Sequence, residues 1–285
     1  MSLELRKIGR SFVAEVAKVD LRDRCDSQFI EMIEKALTTY GVLVFRRQRL
    51  DDDQLLSFIQ QLGPPIGGRV KEIAGRHPHF VDVGNVDENG QMYARHGARD
   101  LYMRANQLWH TDGSQAQPPI RLTILHARLL PSVPPPTEYA DMRAAWEALP
   151  CSAQNEISTL MVEHSILWSR QQIGMKPSDF SEQTRAMLPP VVHPLVRTHP
   201  GNDRKSLYLS SHASHVIGWP VDKGRALLRK LTSFATQPQF VHVHEWLDHD
   251  LVVWDDRWTM HRSTPYSSHH PRRLRWCGVR ELNPV

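Results

Sequence analysis

Apolar residues in this chain come in short runs, each ended by glycine, proline or a polar turn, and runs of that length build strands rather than long helices. Gly41-Val-Leu-Val-Phe45, Phe80-Val-Asp-Val83, residues 121–128, Phe240 to Trp246, Asp250-Leu-Val-Val-Trp254 and Leu274 to Val279 all read this way. Residues 5–20 alternate roughly, and Phe12, Val13, Val16 and Val19 supply an early strand. Helical spacing is confined to a few places. Asp23 to Thr38 carries Phe29, Ile30, Ile33 and Leu37 on one face, and Asp51 or Asp52 caps a helix carrying Leu55, Phe58, Ile59 and Leu62. Ala140 to Leu149 and Asp222 to Thr236 are the later helices, the last with Ala226, Leu227, Leu231 and Phe234 apolar. Gly63, Pro64, Pro65, Gly67 and Gly68 break the pattern, Pro131 to Pro136 reads as a stiff loop crossing a site, and residues 158–192 read as an insertion over the core. There is no internal repeat, and no glycine-rich phosphate loop follows a strand. The expectation is one α+β domain over 1–285, mainly β, with a curled sheet.

Charge and cysteine usage narrow the function. Across 285 residues, 35 Lys and Arg stand against 31 Asp and Glu, and a net +4 argues for neither nucleic acid nor a membrane surface as partner. No apolar run approaches the ~18 residues of a membrane span, and the start Met1-Ser-Leu-Glu4 does not read as a secretory signal. Cys25, Cys151 and Cys277 form neither a disulfide framework nor a short metal-binding spacing, so a reducing, cytoplasmic setting is expected. The charge is uneven: Asp256 to Val285 holds Arg257, Arg262, Arg272, Arg273, Arg275 and Arg280 against Asp256 and Glu281. Such a cluster grips an anionic small molecule, or is an ordinary solvated face.

The chemistry-bearing segment is Asn106-Gln-Leu-Trp-His-Thr-Asp-Gly-Ser114. If it is extended, His110 and Asp112 project to the same side and reach a common ion. A lone His-x-Asp is weak. Trp254-Asp-Asp-Arg-Trp-Thr-Met-His261 adds a distal histidine after an apolar strand. Two histidines and a carboxylate make the facial triad of non-haem iron(II) enzymes, which leaves half of an octahedron open for a chelating co-substrate and oxygen. Zinc takes the same ligands without redox chemistry. What argues for iron is Arg272-Arg273, since a guanidinium recognises the far carboxylate of a dicarboxylic keto acid in planar, bidentate fashion. Thr137 is placed to donate its hydroxyl to the same carboxylate. The plainer readings are a surface pair for the arginines and a helix N-cap for Thr137.

At this point the sequence resembles a known family, the iron(II)- and 2-oxoglutarate-dependent dioxygenases of the taurine and 2,4-dichlorophenoxyacetate class. Gly41-Val-Leu-Val-Phe-Arg46, Phe58 to Gly63, Leu108-Trp-His-Thr-Asp112 and Trp254 to Arg262 carry the resemblance over nearly the whole chain. His215-Val-Ile-Gly-Trp-Pro220 and Ala140 to Leu149 look like the phenoxyalkanoate branch. The resemblance implies a double-stranded β-helix, or jelly roll, with flanking helices and an insertion. It implies iron(II) on His110, Asp112 and His261, and 2-oxoglutarate on Thr137 and one of Arg272 and Arg273, with molecular oxygen as the second co-substrate. Counting from His261 without a gap selects Arg272; matching the following apolar pattern selects Arg273. Relatives are often dimers or tetramers.

One departure bears on the substrate. Many relatives carry a second arginine four residues after the first, which binds the anionic head of the primary substrate; here that position is Trp276 or Cys277. Arg275 lies on the same strand and is a candidate, with Trp109 and Trp276, for contact with the substrate, though it can substitute for that arginine only from a different place, and Pro134-Pro-Pro136 replaces the usual glycine pair before the threonine. The implied activity is hydroxylation of a small organic substrate coupled to oxidative decarboxylation of 2-oxoglutarate. Asp112 favours this outcome, since related halogenases lack that carboxylate. Hydroxylation beside an ether oxygen of an aryloxyalkanoate gives a hemiacetal that collapses; beside a sulfonate carbon it releases sulfite. Trp109, Trp219, Trp258 and Trp276 are candidates for an apolar pocket wall. His212, His215, His242 and His244 are read as ordinary hydrogen-bonding residues. A non-catalytic metal-binding jelly roll and a nucleic-acid demethylase are the rival classes, the second disfavoured by the small net charge.

Overall fold

The computed structural model describes residues 3–10, 12–22, 26–68, 77–87, 89–94, 97–265 and 269–282. The short apolar runs pair into two facing sheets. The larger has the strand order Glu4–Lys7, Val13–Ala17, Val42–Phe45, Leu251–Asp255, Ile120–Leu129, Arg273–Arg280 and Pro65–Ile66, with Val81–Gly84 also paired to Arg273–Arg280. The smaller has the order Val241–His244, Thr137–Asp141 and Thr259–Ser263. Within these two sheets only Val13–Ala17 and Val42–Phe45 run parallel. Antiparallel strands drawn from distant parts of the chain, in two sheets sharing a core, make a jelly roll.

Strand alternation decides what each face of the large sheet meets. Leu43, Phe45, Ile124, Val253, Cys277 and Val279 point outward, onto Ile33, Leu37, Leu55 and Phe58 of the helices Ser27–Tyr40 and Asp52–Leu62. The alternate residues Val42, Val44, Leu125, Val252, Trp254 and Leu274 point inward, onto Tyr139 and Trp246 from the small-sheet side. Both helices start where an aspartate caps them: Asp26 accepts from Phe29 N and Asp51 from Gln54 N, the latter in a capping box. The first helix therefore begins after the expected Asp23; residues 23–25, Cys25 among them, lie outside the described residues.

Three local expectations need correction. Ala140 to Leu149 is not one helix: Thr137–Asp141 is the central strand of the small sheet, and Asp141 then caps the helix Met142–Glu147 by accepting from Arg143 N and Ala144 N. Pairing on both edges overrides the local helical pattern. Thr259–Ser263, unmarked by any apolar run, is a strand because it completes that sheet. In the helix Val221–Ala235 the buried stripe is Gly224, Leu228, Leu231 and Ala235, so Ala226 is exposed. Residues 158–192 do form an added layer. The strand Met161–His164 pairs with Ala213–Val216 and Val191–Pro194, and Ile166, Met175 and Phe180 pack on Val81 and Tyr102 at one end of the barrel.

Arg143 ties these layers together. It is 1% exposed, and its guanidinium donates to Asp141 and to the carbonyls of Thr39 and Tyr40. It also lies over the Trp258 ring at 4.0 Å. Arg143→Met leaves Asp141 buried without its cation and should lower the unfolding free energy by about 3–5 kcal/mol, read from urea titrations. The core also buries neutral histidines: burial pushes His164 and His244 down to about 3, and His126 to about 4. The unfolded chain then takes up protons below an ordinary imidazole pKa of about 6.5 while the folded chain does not. Stability should be full above that value and fall as pH drops toward 4; a flat urea midpoint across this window would contradict the burial.

Candidate active site

Two distant segments meet through their backbones. His110 N donates to His261 O at 3.0 Å and His261 N to His110 O at 2.8 Å, an antiparallel bridge on the open edge of the small sheet. It sets the two imidazole centroids 4.1 Å apart. Thr111, between the two proximal residues, turns the other way and donates to Leu209 O and Thr259 O. His110 and Asp112 therefore share a side, as the i, i+2 spacing requires. Gly113 follows with φ +66, and a Cβ there would sit 2.4 Å from Ile120. The potential ligand atoms of His110, Asp112 and His261 all lie within 4.8 Å of one another, the one such group of three or more among the described residues. Both imidazole Nε2 atoms stand 3.7 Å from an oxygen of Asp112.

The protonation chemistry of the group suits a cation. His110 Nδ1 donates to Leu108 O at 2.7 Å, which leaves the Nε2 lone pair facing Asp112. Burial pushes both imidazoles below their ordinary range, His261 the further, so both are held in the neutral form that coordinates metals. Asp112 Oδ2 accepts from Trp276 Nε1 at 2.8 Å and Thr123 Oγ1 at 3.3 Å. Asp256, fully buried, accepts from Asp112 N, Trp254 Nε1 and Thr123 Oγ1. Burial, then the Asp112 charge, pushes the Asp256 carboxyl well up; a divalent ion between the three ligands offsets that repulsion. The residues thus fit a metal ion with two neutral nitrogens and one anchored carboxylate.

The group opens into a cleft with Ile66, Val81, Tyr102, Pro118, Ile120, Leu125, Leu274 and Trp276 on its walls, and with Thr137, Arg170 and Arg272 among its polar members. Its empty volume, open mouth included, is about 1030 Å³. Thr137 is a strand residue and not an N-cap; its hydroxyl accepts from Trp246 Nε1 at 2.9 Å, leaving its own proton to donate. Arg272 is 2% exposed and lines the cleft. Asn85 grips its backbone through a side-chain acceptor at 2.8 Å and a backbone donor at 3.1 Å. Gly84 permits this approach, since a Cβ there would lie 1.9 Å from Arg272 O. Arg273 turns aside, donating to Asp87 O. Arg275 is on the outward face, bound to Asp82 and Asp52, and does not line the cleft. Trp109 packs under Arg262, Trp258 stacks on His199 and Trp219 carries Lys223, all outside the cleft lining. Residues 131–136 also stay off the cleft. His212, His215, His242 and His244 belong to no metal-competent group among the described residues.

Sequence reading missed Thr123, Asp256 and Arg170. Thr123 lies inside a strand, and Asp256 lies in the turn that precedes the distal histidine. Its neighbour Asp255 accepts from Arg257 N and, through its carbonyl, from Thr259 Oγ1, shaping the turn before His261. Arg170 lay in the insertion and carried no motif.

A jelly roll with two histidines and a carboxylate at the mouth of an apolar cleft defines a non-haem metal oxygenase. Residues 4–277 match the family described as taurine catabolism dioxygenase TauD, TfdA family, and the chain belongs to it. It is 40% identical to an alpha-ketoglutarate-dependent 2,4-dichlorophenoxyacetate dioxygenase of Cupriavidus pinatubonensis, over 96% of each chain. It is 39% identical to one of the same description from a Burkholderia species, over 96% of this chain and 93% of the relative. A crystal structure of AAD-2 with Mn(II) and N-oxalylglycine superposes with a TM-score of 0.91 at 38% identity, covering 100% of this chain and 98% of that one. The chain is an iron(II)- and 2-oxoglutarate-dependent dioxygenase, and its fold is that of these enzymes.

Trp276→Phe keeps the ring and removes the donor to Asp112 Oδ2. Loss of such a supporting contact should weaken binding of Mn(II), titrated by calorimetry, about 10–100-fold; an unchanged affinity would show that the indole serves the cleft wall alone.

Proposed function

We propose that His110, Asp112 and His261 hold iron(II), that Thr137 and Arg272 seat 2-oxoglutarate, and that the primary substrate is an aryloxyalkanoate whose ether is cleaved. The observation carrying this is the parity of the last strand. Arg272, Leu274 and Trp276 share the face that meets the ligand group, so a cation for the keto acid's far carboxylate and an apolar wall for an aryl ring stand beside one metal site. The names of the relatives point to the same substrate class.

Iron(II) with bound 2-oxoglutarate supplies the activation of dioxygen, the keto acid leaving as succinate and carbon dioxide. The chain's own residues do the rest. Arg272 and Thr137 orient the keto acid from its distal end. Trp276 and Thr123 fix the Asp112 carboxylate that would hold the ion beside His110 and His261. Val81, Ile120, Leu125 and Leu274 exclude water and present the aryl ether. For phenoxyacetate, one oxygen atom enters the carbon between ether and carboxylate, and the hemiacetal collapses to phenol and glyoxylate. We further read the chain as a single catalytic domain working in the cytoplasm as a dimer or tetramer. Cys151 and Cys277, free thiols, agree with a reducing setting, and no helix among the described residues is long and apolar enough to cross a membrane.

Product analysis tests the reading. Phenoxyacetate should yield phenol, glyoxylate and succinate in equal amounts, with taurine giving no sulfite. Succinate formed only with taurine would move the substrate to the sulfonates, and metal binding with no substrate-triggered succinate would leave a non-catalytic binding protein. Arg272→Gln should raise the KM for 2-oxoglutarate about 100-fold, as expected for removing one partner of a buried charge pair, while Arg273→Gln changes it less than about threefold. Equal effects would remove the distinction between them.

A further inference from the structure

An enzyme that binds a dianionic co-substrate and an anionic substrate in one buried cleft needs a cation for each. The last strand brings one to the cleft, Arg272; the inward position four residues later is Trp276, and Arg275 is held outward by Asp52 and Asp82. The second cation comes from the added layer. Arg170, on the helix Ile166–Gln171, is 6% exposed and lines the cleft.

Its surroundings differ from those of the deeply buried arginines outside the cleft. Arg143 faces Asp141 and Arg197 faces Glu281, each at 2.9 Å. Arg170 meets no carboxylate within ion-pair distance among the described residues. Its Nη1 donates to Ser169 Oγ at 3.1 Å, its buried Nε has no hydrogen-bond partner, and its guanidinium lies over the Tyr102 ring at 3.9 Å. Stacking on Tyr102 occupies one face and leaves in-plane donors, the geometry that takes a carboxylate in bidentate fashion. A guanidinium withdrawn from water without a counter-ion is costly unless an anion arrives. The helix is also tied to the metal-binding segment: Ser169 Oγ bonds Ser211 Oγ at 2.9 Å, and Ser211 N donates to Trp109 O, next to His110.

We infer that Arg170 holds the anionic head of the primary substrate, in place of a second arginine on the last strand. The inference rests on the aryloxyalkanoate reading for the identity of that anion. It explains how a chain with Trp276 at the inward position still selects an acid: the cation has moved from the sheet to the covering helix, where it lies against Tyr102 of the cleft wall. In an aryloxyacetate the carboxylate is bonded to the carbon that reacts, so fixing the carboxylate fixes that carbon.

The test is anaerobic calorimetry on the iron(II) and 2-oxoglutarate holoenzyme, titrated with phenoxyacetate and with the neutral phenoxyethanol. The wild type should prefer the acid by about 30-fold or more, as a buried charge pair allows. In Arg170→Gln, and in Arg170→Met, which keeps an unbranched apolar stem, the preference should fall to within about threefold, with 2-oxoglutarate affinity altered by less than that. Arg170→Lys should recover part of it, since it returns the charge without the fork. Thermal melts of the variants show whether each is folded, and any one folded charge-removing variant decides the matter. A wild type without acid preference, a charge-removing variant that keeps it, or one that loses 2-oxoglutarate as Arg272→Gln does, overturns the assignment. Aerobic product analysis separates the two readings. Arg170-dependent binding without phenol and glyoxylate sinks the ether-cleavage reading alone. Ether cleavage with Arg170-independent binding sinks this one alone.

Discussion

The site depends on one pair of backbone hydrogen bonds, those joining His110 to His261. About 150 residues separate the two segments, so their meeting is a property of the fold and not of either motif. An antiparallel bridge fixes both the distance and the relative tilt of the two side chains it carries. The imidazoles are thereby placed before any ion arrives, and the ion's binding energy is not consumed in ordering them. Thr111 contributes from the opposite side: by donating to Leu209 O and Thr259 O it nails the proximal segment to the sheet edge, and alternation then delivers Asp112 beside His110.

A second constraint is parity. Along Arg273–Arg280 the side chains alternate between the helices outside and the cleft inside, and the register with Ile120–Leu129 shifts between Arg273 and Leu274. Arg272 lies just before the strand on the cleft side, Trp276 lies within it on the same side, and Arg275 is committed to the outer face. Asn85 and Gly84 then hold Arg272 by its backbone, the glycine because no side chain fits between them. A single residue of slippage would exchange every one of these roles. The tolerance for insertion is correspondingly low here.

This contrast explains what the sequence made legible. The strands announced themselves as short apolar runs because both faces of the central ones are buried. His110, Asp112 and His261 were legible because an extended His-x-Asp and a histidine after an apolar strand are patterns that local chemistry imposes. Thr259–Ser263 was not legible, since its strand character comes from pairing with Thr137–Asp141 and not from its composition. The same pairing turned the first residues of the expected Ala140 to Leu149 helix into sheet. Asp256 and Thr123 were hidden for a different reason. Asp256 bonds Asp112 from 144 positions away, and Thr123, 11 positions from Asp112, bonds both it and Asp256, and no spacing within the chain encodes such a three-way contact. Arg272 and Arg273 were separable only by parity, which needs the strand's start to be known to one residue.

The electrostatics of the cleft join these observations. With a divalent ion between the ligands, the positive charges facing the cleft are the ion, Arg272 and Arg170, and the buried negative one is Asp112, since burial and the Asp112 charge push the Asp256 carboxyl well up. Positive charge prevails until acids bind. In so poorly solvated a space the imbalance is expensive, and it is removed stepwise. The dianionic keto acid cancels what Asp112 leaves of the ion's charge together with that of Arg272, and a second anion is still required beside Arg170. A neutral aryl ether fills the apolar wall equally well but leaves that guanidinium desolvated and unanswered. Selection for an acid is thus set by what remains uncompensated after the co-substrate has bound, and the apolar wall decides only which acids fit.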